Sequence, residues 1–210
     1  MSSSLEISNL FQVKGKIVLV TGGSRGIGKM DSGFTKVLTL NVQRVFSLTQ
    51  KVLPLLRAAA NQTKEGSTFV DPARIINIGS VEGIWTAPHN TFSYAASKAA
   101  LHHLSRHFAA KLGPEGIVSN AIVCGLFPTK SKTMELDQSN VVTHPKHLPL
   151  PVTAHTVRTV GDSLTQSVPL RRSGKPEDIV GTTLFLSSSA GAYINGATVA
   201  LDGGLLVSRL

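Results

Sequence analysis

Apolar and polar positions along the chain fall into two regimes. Short runs of consecutive β-branched and aliphatic residues alternate with longer stretches in which apolar residues return every three or four positions. Lys16-Ile-Val-Leu-Val-Thr21, Arg74-Ile-Ile-Asn-Ile-Gly79, Ile117-Val-Ser-Asn-Ala-Ile-Val123 and Ala197-Thr-Val-Ala-Leu201 are of the first kind and predict buried parallel strands. Phe34, Val37, Leu38, Val42, Val45, Phe46, Thr49, Val52 and Leu56 are of the second kind and predict a helix reaching Ala60, with Asp31 and Ser32 as cap candidates and Pro54 as a kink near its end. A second helix is predicted over Ser93–Leu112, stopped by Gly113-Pro114. A third opens at Pro176 with Glu177 and Asp178 in its first turn and runs to about Ser188. Asn61 to Asp71 and Val81 to Thr91 read as loops. Cys124 to Thr165 shows no sustained period, and with Pro145, Pro149 and Pro151 its 131–160 portion reads as an irregular loop or insert. Strands alternating with helices argue for one α/β unit over 1–210, a doubly wound parallel sheet.

Composition supports that picture. The 210 residues are 41% hydrophobic and 16% charged, a globular balance. Cys124 is the only cysteine, which excludes an internal disulfide and a zinc site built on several thiolates. The first residues lack a basic start with an apolar run, and no stretch approaches the ~20 apolar residues of a membrane span. A cytoplasmic protein without membrane attachment is expected. The net charge of +9 raises the question of nucleic acid. The basic residues are scattered, so specific nucleic-acid binding is not expected and non-specific, salt-sensitive binding stays open.

Two places carry candidate chemistry. In Tyr94-Ala-Ala-Ser-Lys98 a phenol and an ammonium stand four apart on a helix and point the same way. A neighbouring positive charge favours the phenolate, one way to make tyrosine a proton donor and acceptor near neutral pH. Ser80, leaving a buried strand, is placed to hold a carbonyl oxygen; an ordinary helix bearing a Tyr and a Lys is the plainer alternative. The second place is Thr21-Gly-Gly-Ser-Arg-Gly-Ile-Gly28, directly after the first strand. Glycines let backbone amides approach a pyrophosphate, and a helix N-terminus behind them favours negative charge. His103 and His107 have i, i+4 spacing but no third ligand, so no metal site is expected.

These motifs occur in a fixed order: Thr21 to Gly28, Leu40-Asn41-Val42, Ile76-Asn-Ile-Gly-Ser80, Tyr94-x-x-x-Lys98, Asn120-Ala-Ile-Val-Cys-Gly-Leu-Phe-Pro-Thr129 and Leu201-Asp-Gly-Gly204. In that order they resemble the short-chain dehydrogenase/reductases nearly end to end, most of all the 3-oxoacyl-acyl-carrier-protein reductases of the rhamnolipid-biosynthesis type and their fungal relatives. The resemblance implies a Rossmann-like fold and NAD(P)-dependent reduction of a 3-oxo acyl thioester or similar carbonyl. It implies that Tyr94 protonates the carbonyl, that Lys98 lowers the Tyr94 pKa and holds the nicotinamide ribose, that Ser80 binds the substrate oxygen and that Asn41 positions a water. Gly22, Ser24, Arg25, Gly26, Ile27 and Gly28 would bind the dinucleotide phosphates, with Phe127 and Thr129 on the nicotinamide carboxamide. Arg25 suits a 2′-phosphate and favours NADP(H) over NAD(H), though a solvated surface arginine explains it almost as well. A small-molecule or acyl-carrier-bound substrate and a homodimer or homotetramer through the two long helices are the implied partners.

One stretch departs from the family. Gly28-Lys-Met30 is followed at once by Asp31-Ser-Gly-Phe34, where the next family helix begins. The second, third and fourth strands of the family and their helices are missing, roughly 70 residues at ~30 per unit. Either a gap opens beside the first strand, or that strand pairs directly with Arg74–Gly79. Right-handed crossovers would then put both long helices on one face. Only the helix from Pro176 would cover the other, leaving an exposed apolar patch and weakened cofactor binding. A catalytically inactive protein acting only through oligomer or protein contacts is the alternative function.

Overall fold

The computed structural model describes residues 11–21, 30–87, 91–127 and 165–208. The chain runs β1 (Val18–Thr21), α1 (Met30–Leu38), a π-helical turn (Thr39–Gln43) and α2 (Arg44–Gln62). A small hairpin of β2 (Lys64–Glu65) and β3 (Thr68–Phe69) leads to β4 (Ala73–Ser80) and a 3₁₀ turn (Val81–Gly83). Then come α3 (Phe92–Leu112), β5 (Ile117–Cys124), α4 (Pro176–Ser187) and β6 (Thr198–Leu201). The four predicted strands and three predicted helices are all present. The 131–160 segment lies outside the described residues.

Among the described residues the main sheet has the order β1-β4-β5-β6, every pair parallel. Of the two arrangements left open for β1, direct pairing is the one formed: Val18 stands beside Arg74 and Thr21 beside Asn77. Side chains in register share a face. Leu19, Ile75 and Ile117 face α2, where Leu56 and Ala60 close over them without solvent exposure. Ile76 and Ile122 face α4 and pack on Leu186. Each such fully buried aliphatic side chain contributes about 1.5–3 kcal/mol. Helices α2 and α3 therefore lie on one face and α4 on the other, as the crossover rule requires.

The cover on the α4 face is partial. Val20 on β1 is 47% exposed, and Val180 and Leu184 of α4 are 55% and 41% exposed. The expected apolar exposure is present at that edge.

Three local features depart from the sequence reading. Asp31 and Ser32 lie inside the first turn of α1 instead of capping it, because the helix already begins at Met30. The single predicted helix is divided by the π turn at Thr39–Gln43, whose widened turn carries Asn41 inward to 2% exposure. The predicted loop after Gln62 contains the β2–β3 hairpin, and Phe69 from it occupies the space a side chain at Gly116 (φ +74°) would need.

Beneath the sheet lies a buried arginine. Arg74 is 1% exposed and donates to the carbonyls of Pro72, of Leu186 at 3.3 Å and of Ser188 at 2.8 Å. It pairs with Asp71 at 2.7 Å, and Lys16 reaches the same carboxylate. Burial pushes the Asp71 carboxyl up, but the hydrogen bonds and charges of Lys16 and Arg74 outweigh it, and its pKa ends below the ordinary value.

Candidate active site

Ser80 is the last residue of β4, extended at φ −154° and ψ 149°. Its hydroxyl accepts from the Glu82 N–H at 3.3 Å, capping the turn that follows. β5 ends alongside, with Cys124 in register with Ser80. α3 then runs past these strand ends with Tyr94 in its first turn and Lys98 four residues on. The two strands and the helix thus bring Ser80, Tyr94, Lys98 and Cys124 to the C-terminal edge of the sheet, where parallel α/β sheets bind ligands.

The buried stripe of α3 is Ser97, Lys98, Leu101, His102, Ser105, Phe108 and Ala109, a helical period filled largely with polar groups. Its polar members all have partners. Asn77 donates to Ser105 at 3.1 Å, and Ser105 and Ser119 share a hydrogen bond at 3.0 Å. Asn41 donates through Nδ2 to Ser97 at 2.9 Å, and Ser97 donates to the Tyr94 carbonyl at 2.8 Å. The π turn is thereby tied to the first turn of α3. Among the described residues the Asn41 Oδ1 has no partner although it is buried.

Lys98 is 1% exposed, and its Nζ donates to the Ile78 carbonyl at 2.8 Å, with the nitrogen 5.6 Å from the centre of the Tyr94 ring. Burial lowers its pKa to about 8; the partial charge of Cys124 opposes the change. The expectation that Lys98 depresses Tyr94 needs correction. Tyr94 sits above its ordinary value because burial outweighs the hydrogen bond from Ser80, and Glu82 and Cys124 push it further up. The ammonium lies against the ring while its hydrogen bond is spent on Ile78, so it contributes little at the phenolic oxygen. The Cys124 thiol is also raised by burial, against the pull of Lys98.

Other predicted positions are more scattered. Phe127 packs its ring on Gly174, beside a cavity of about 80 Å³ that also borders Asp202. Gly22, Ser24, Arg25, Gly26, Ile27, Gly28 and Thr129 lie outside the described residues. β1 nevertheless ends at Thr21 beside Asn77, so the chain enters the glycine segment from the edge that carries Ser80. A cavity of about 430 Å³ opens next to the site between the segment after the 3₁₀ turn and α3, lined by Glu82, Trp85, Thr91, Phe92 and Ala95 among others. His103 and His107 stand edge to face at 4.8 Å on the outer side of α3, and no cluster of three metal-ligating side chains occurs among the described residues.

Sequence reasoning missed His102. It is 3% exposed, and its Nε2 accepts the Ser80 N–H at 3.3 Å. Its spacing was the available signal: 94, 98 and 102 lie one turn apart along one side of the helix.

A parallel sheet with helices on both faces defines a Rossmann-like α/β fold. The sequence matches the family model described as enoyl-(acyl carrier protein) reductase over residues 23–206. The chain belongs to the short-chain dehydrogenase/reductase family. It is 38% identical over 173 residues to the rhamnolipids biosynthesis 3-oxoacyl-[acyl-carrier-protein] reductase of Pseudomonas aeruginosa, covering 82% of this chain and 57% of that protein. To the 3-oxoacyl-[acyl-carrier-protein] reductase FabG of Thermotoga maritima it is 30% identical over 171 residues, covering 81% and 56%. Among solved structures it resembles the Pseudomonas aeruginosa RhlG/NADP active-site complex, with TM-score 0.69, 34% identity and coverage of 90% of this chain and 65% of that one. A gluconate 5-dehydrogenase from Burkholderia cenocepacia in complex with NADP and tartrate gives TM-score 0.66 and 26% identity, covering 91% and 65%. The chain thus spans a little over half the length of the curated relatives it matches.

Proposed function

We propose that the chain reduces a 3-oxo group on an acyl thioester, or a similar carbonyl, with NADP(H). The observation that carries this reading is the convergence of Ser80 and Tyr94 hydroxyls over a buried Lys98 at the sheet's C-terminal edge. A Tyr94 held above its ordinary pKa is protonated at neutral pH, the state a general acid needs. Tyr94 donates its proton to the carbonyl oxygen while the Ser80 hydroxyl holds that oxygen in place. Lys98, bonded to the Ile78 carbonyl with its ammonium against the Tyr94 ring, holds that ring in place. Asn41, with its unpartnered buried oxygen, is suited to bind a water that returns a proton toward the site.

The residues present fit a nicotinamide dinucleotide in their chemistry: the glycine segment follows directly in sequence on β1, which ends at Thr21 beside Asn77 of the strand that carries Ser80. Gly22, Ser24, Gly26, Ile27 and Gly28 would hold its phosphates, Arg25 a 2′-phosphate, Tyr94 and Lys98 its ribose, and Phe127 and Thr129 its carboxamide. When bound, that group supplies the hydride. The Pseudomonas aeruginosa RhlG structure is a complex with NADP, in keeping with this choice. Leu48 and Leu55, 43% and 58% exposed on α2, suit a homodimer or homotetramer. Titrating NADPH while following energy transfer from Trp85, then measuring NADPH consumption with an acetoacetyl thioester, tests the proposal. Absence of both binding and turnover would refute it.

One observation favours a second reading, an inactive protein that works through contacts alone. β1 is an edge strand whose outer face is half open at Val20, where a dinucleotide site needs a firm floor. Oligomer formation without NADPH binding would select it.

A further inference from the structure

His102 lies one turn beyond Lys98 on α3, and its imidazole reaches back to the end of β4. The Nε2 receives the Ser80 N–H at 3.3 Å. A ring nitrogen accepts only when it carries no proton, so the ring must be neutral with its hydrogen on Nδ1. Its surroundings enforce that state: burial first, then the charges of Lys98 and Arg106 on the same helix, hold the pKa down to about 4.

The backbone on either side of Ser80 is shaped around this ring. A Cβ on Gly79 would fall onto Nε2, and a Cβ on Gly83 would stand 2.6 Å from Cε1. The imidazole therefore sits as a wedge between the strand end and the 3₁₀ turn, and glycine is needed at both contacts. Ser80 is held twice: its N–H by His102 and its hydroxyl oxygen by the Glu82 N–H.

We infer that His102 is a positioning residue for Ser80: its neutral imidazole, seated between Gly79 and Gly83, fixes the strand end and so aims the Ser80 hydroxyl at Tyr94. This rests on Ser80 and Tyr94 being the carbonyl-binding pair. His102 touches no reacting atom and is not itself catalytic. A preorganised site needs its groups held within about 0.5 Å, which calls for packing of this kind behind Ser80.

The test uses the full chain with ¹⁵N-labelled histidine. His102 is assigned by the loss of its signals in His102→Leu or His102→Gln. The expected result is the Nδ1–H tautomer at pH 7 with no titration above pH 5. Hydrogen exchange at the Ser80 amide should be at least tenfold faster in His102→Leu, which lacks an acceptor, and should recover in His102→Gln, whose amide oxygen accepts. In turnover, His102→Leu should lose kcat at least tenfold with the KM for NADPH unchanged, and His102→Gln should regain part of it. An Nε2–H tautomer, a pKa near the ordinary ~6.5, or unchanged Ser80 exchange in His102→Leu overturns the inference. If His102→Leu does not fold, the tautomer in the unmodified chain and the exchange in His102→Gln decide. If the chain shows no reductase activity while the tautomer and exchange results hold, the proposed reaction falls and the positioning of Ser80 stands.

Discussion

Replacing Lys98 by methionine removes a buried charge while keeping an unbranched stem of similar length. The Lys98 pKa is about 8 in place of 10.5. At ~1.4 kcal/mol per unit, burial disfavours the ammonium by about 3 kcal/mol at neutral pH. The substitution also removes the 2.8 Å hydrogen bond to the Ile78 carbonyl, worth about 1–2 kcal/mol when the acceptor is left unpaired. The net expectation at pH 7 is a variant more stable by about 1–2 kcal/mol, a Tm gain of about 2–8 °C for a chain of this size. NADPH turnover should be lost at the same time, since a site can hold function at the expense of stability. The pH dependence gives a sharper test. The unfolded chain keeps the lysine proton up to about pH 10.5 while the folded chain releases it near 8, so the unfolded state binds more protons between those values. Wild-type stability should therefore rise by about 3 kcal/mol relative to the variant between pH 7 and 10.5, so the order should invert between about pH 9 and 10, and at pH 10.5 wild type, its neutral Lys98 still hydrogen-bonded, should be the more stable. Because Lys98 and the Cys124 thiol act on each other, both proteins are compared in a Cys124→Ser background. Urea unfolding at pH 7, 8, 9, 10 and 10.5 measures the difference. A difference that stays flat across the series, or a variant less stable at pH 7, would refute the reasoning.

Ser80→Ala should cut turnover by about 10²–10³, the usual loss on removing one donor to a reacting oxygen, while circular dichroism shows the fold retained; an unchanged rate would remove Ser80 from the site. Arg74→Met leaves three buried carbonyls without their donor and Asp71 with Lys16 alone, and a loss of about 3–5 kcal/mol is expected by urea unfolding. A loss under 1 kcal/mol would show that the buried arginine is incidental. Because Asp71 has a lowered pKa, its stabilising contribution is present above the ordinary ~3.9 and disappears as pH falls through its folded value. Asp71→Asn should accordingly flatten the acid limb of the stability curve below about pH 4, and an unaltered limb would count against the Lys16–Asp71–Arg74 group. The half-open sheet face should bind an anilinonaphthalene sulfonate dye at neutral pH, and Val20→Lys should reduce that fluorescence by about half; no dye uptake by the unaltered chain would mean the face is covered.

The amino-acid sequence by itself determined the class of fold and the family. Four β-branched runs and three periodic stretches became the four main strands and three long helices, since burial on both faces of a parallel sheet demands consecutive apolar residues and a helix demands a 3.6-residue return. Tyr94 and Lys98 were legible because helical spacing alone aligns them. Whether β1 would pair with β4 or leave a gap was not legible, since an apolar run does not name its neighbour; the folded chain set Val18 beside Arg74. The inward turn of Asn41 was hidden too, because a π turn shifts the helical phase without altering the apolar pattern before or after it. Tertiary structure also decided what the polar residues of α3 do. Ser97, His102 and Ser105 are buried because strand ends and the neighbouring π turn supply each a hydrogen-bond partner, which no spacing along α3 specifies. The pKa of Tyr94 belongs to that same level: spacing puts a lysine next to the ring, but depth of burial and the Ile78 carbonyl determine where its charge acts.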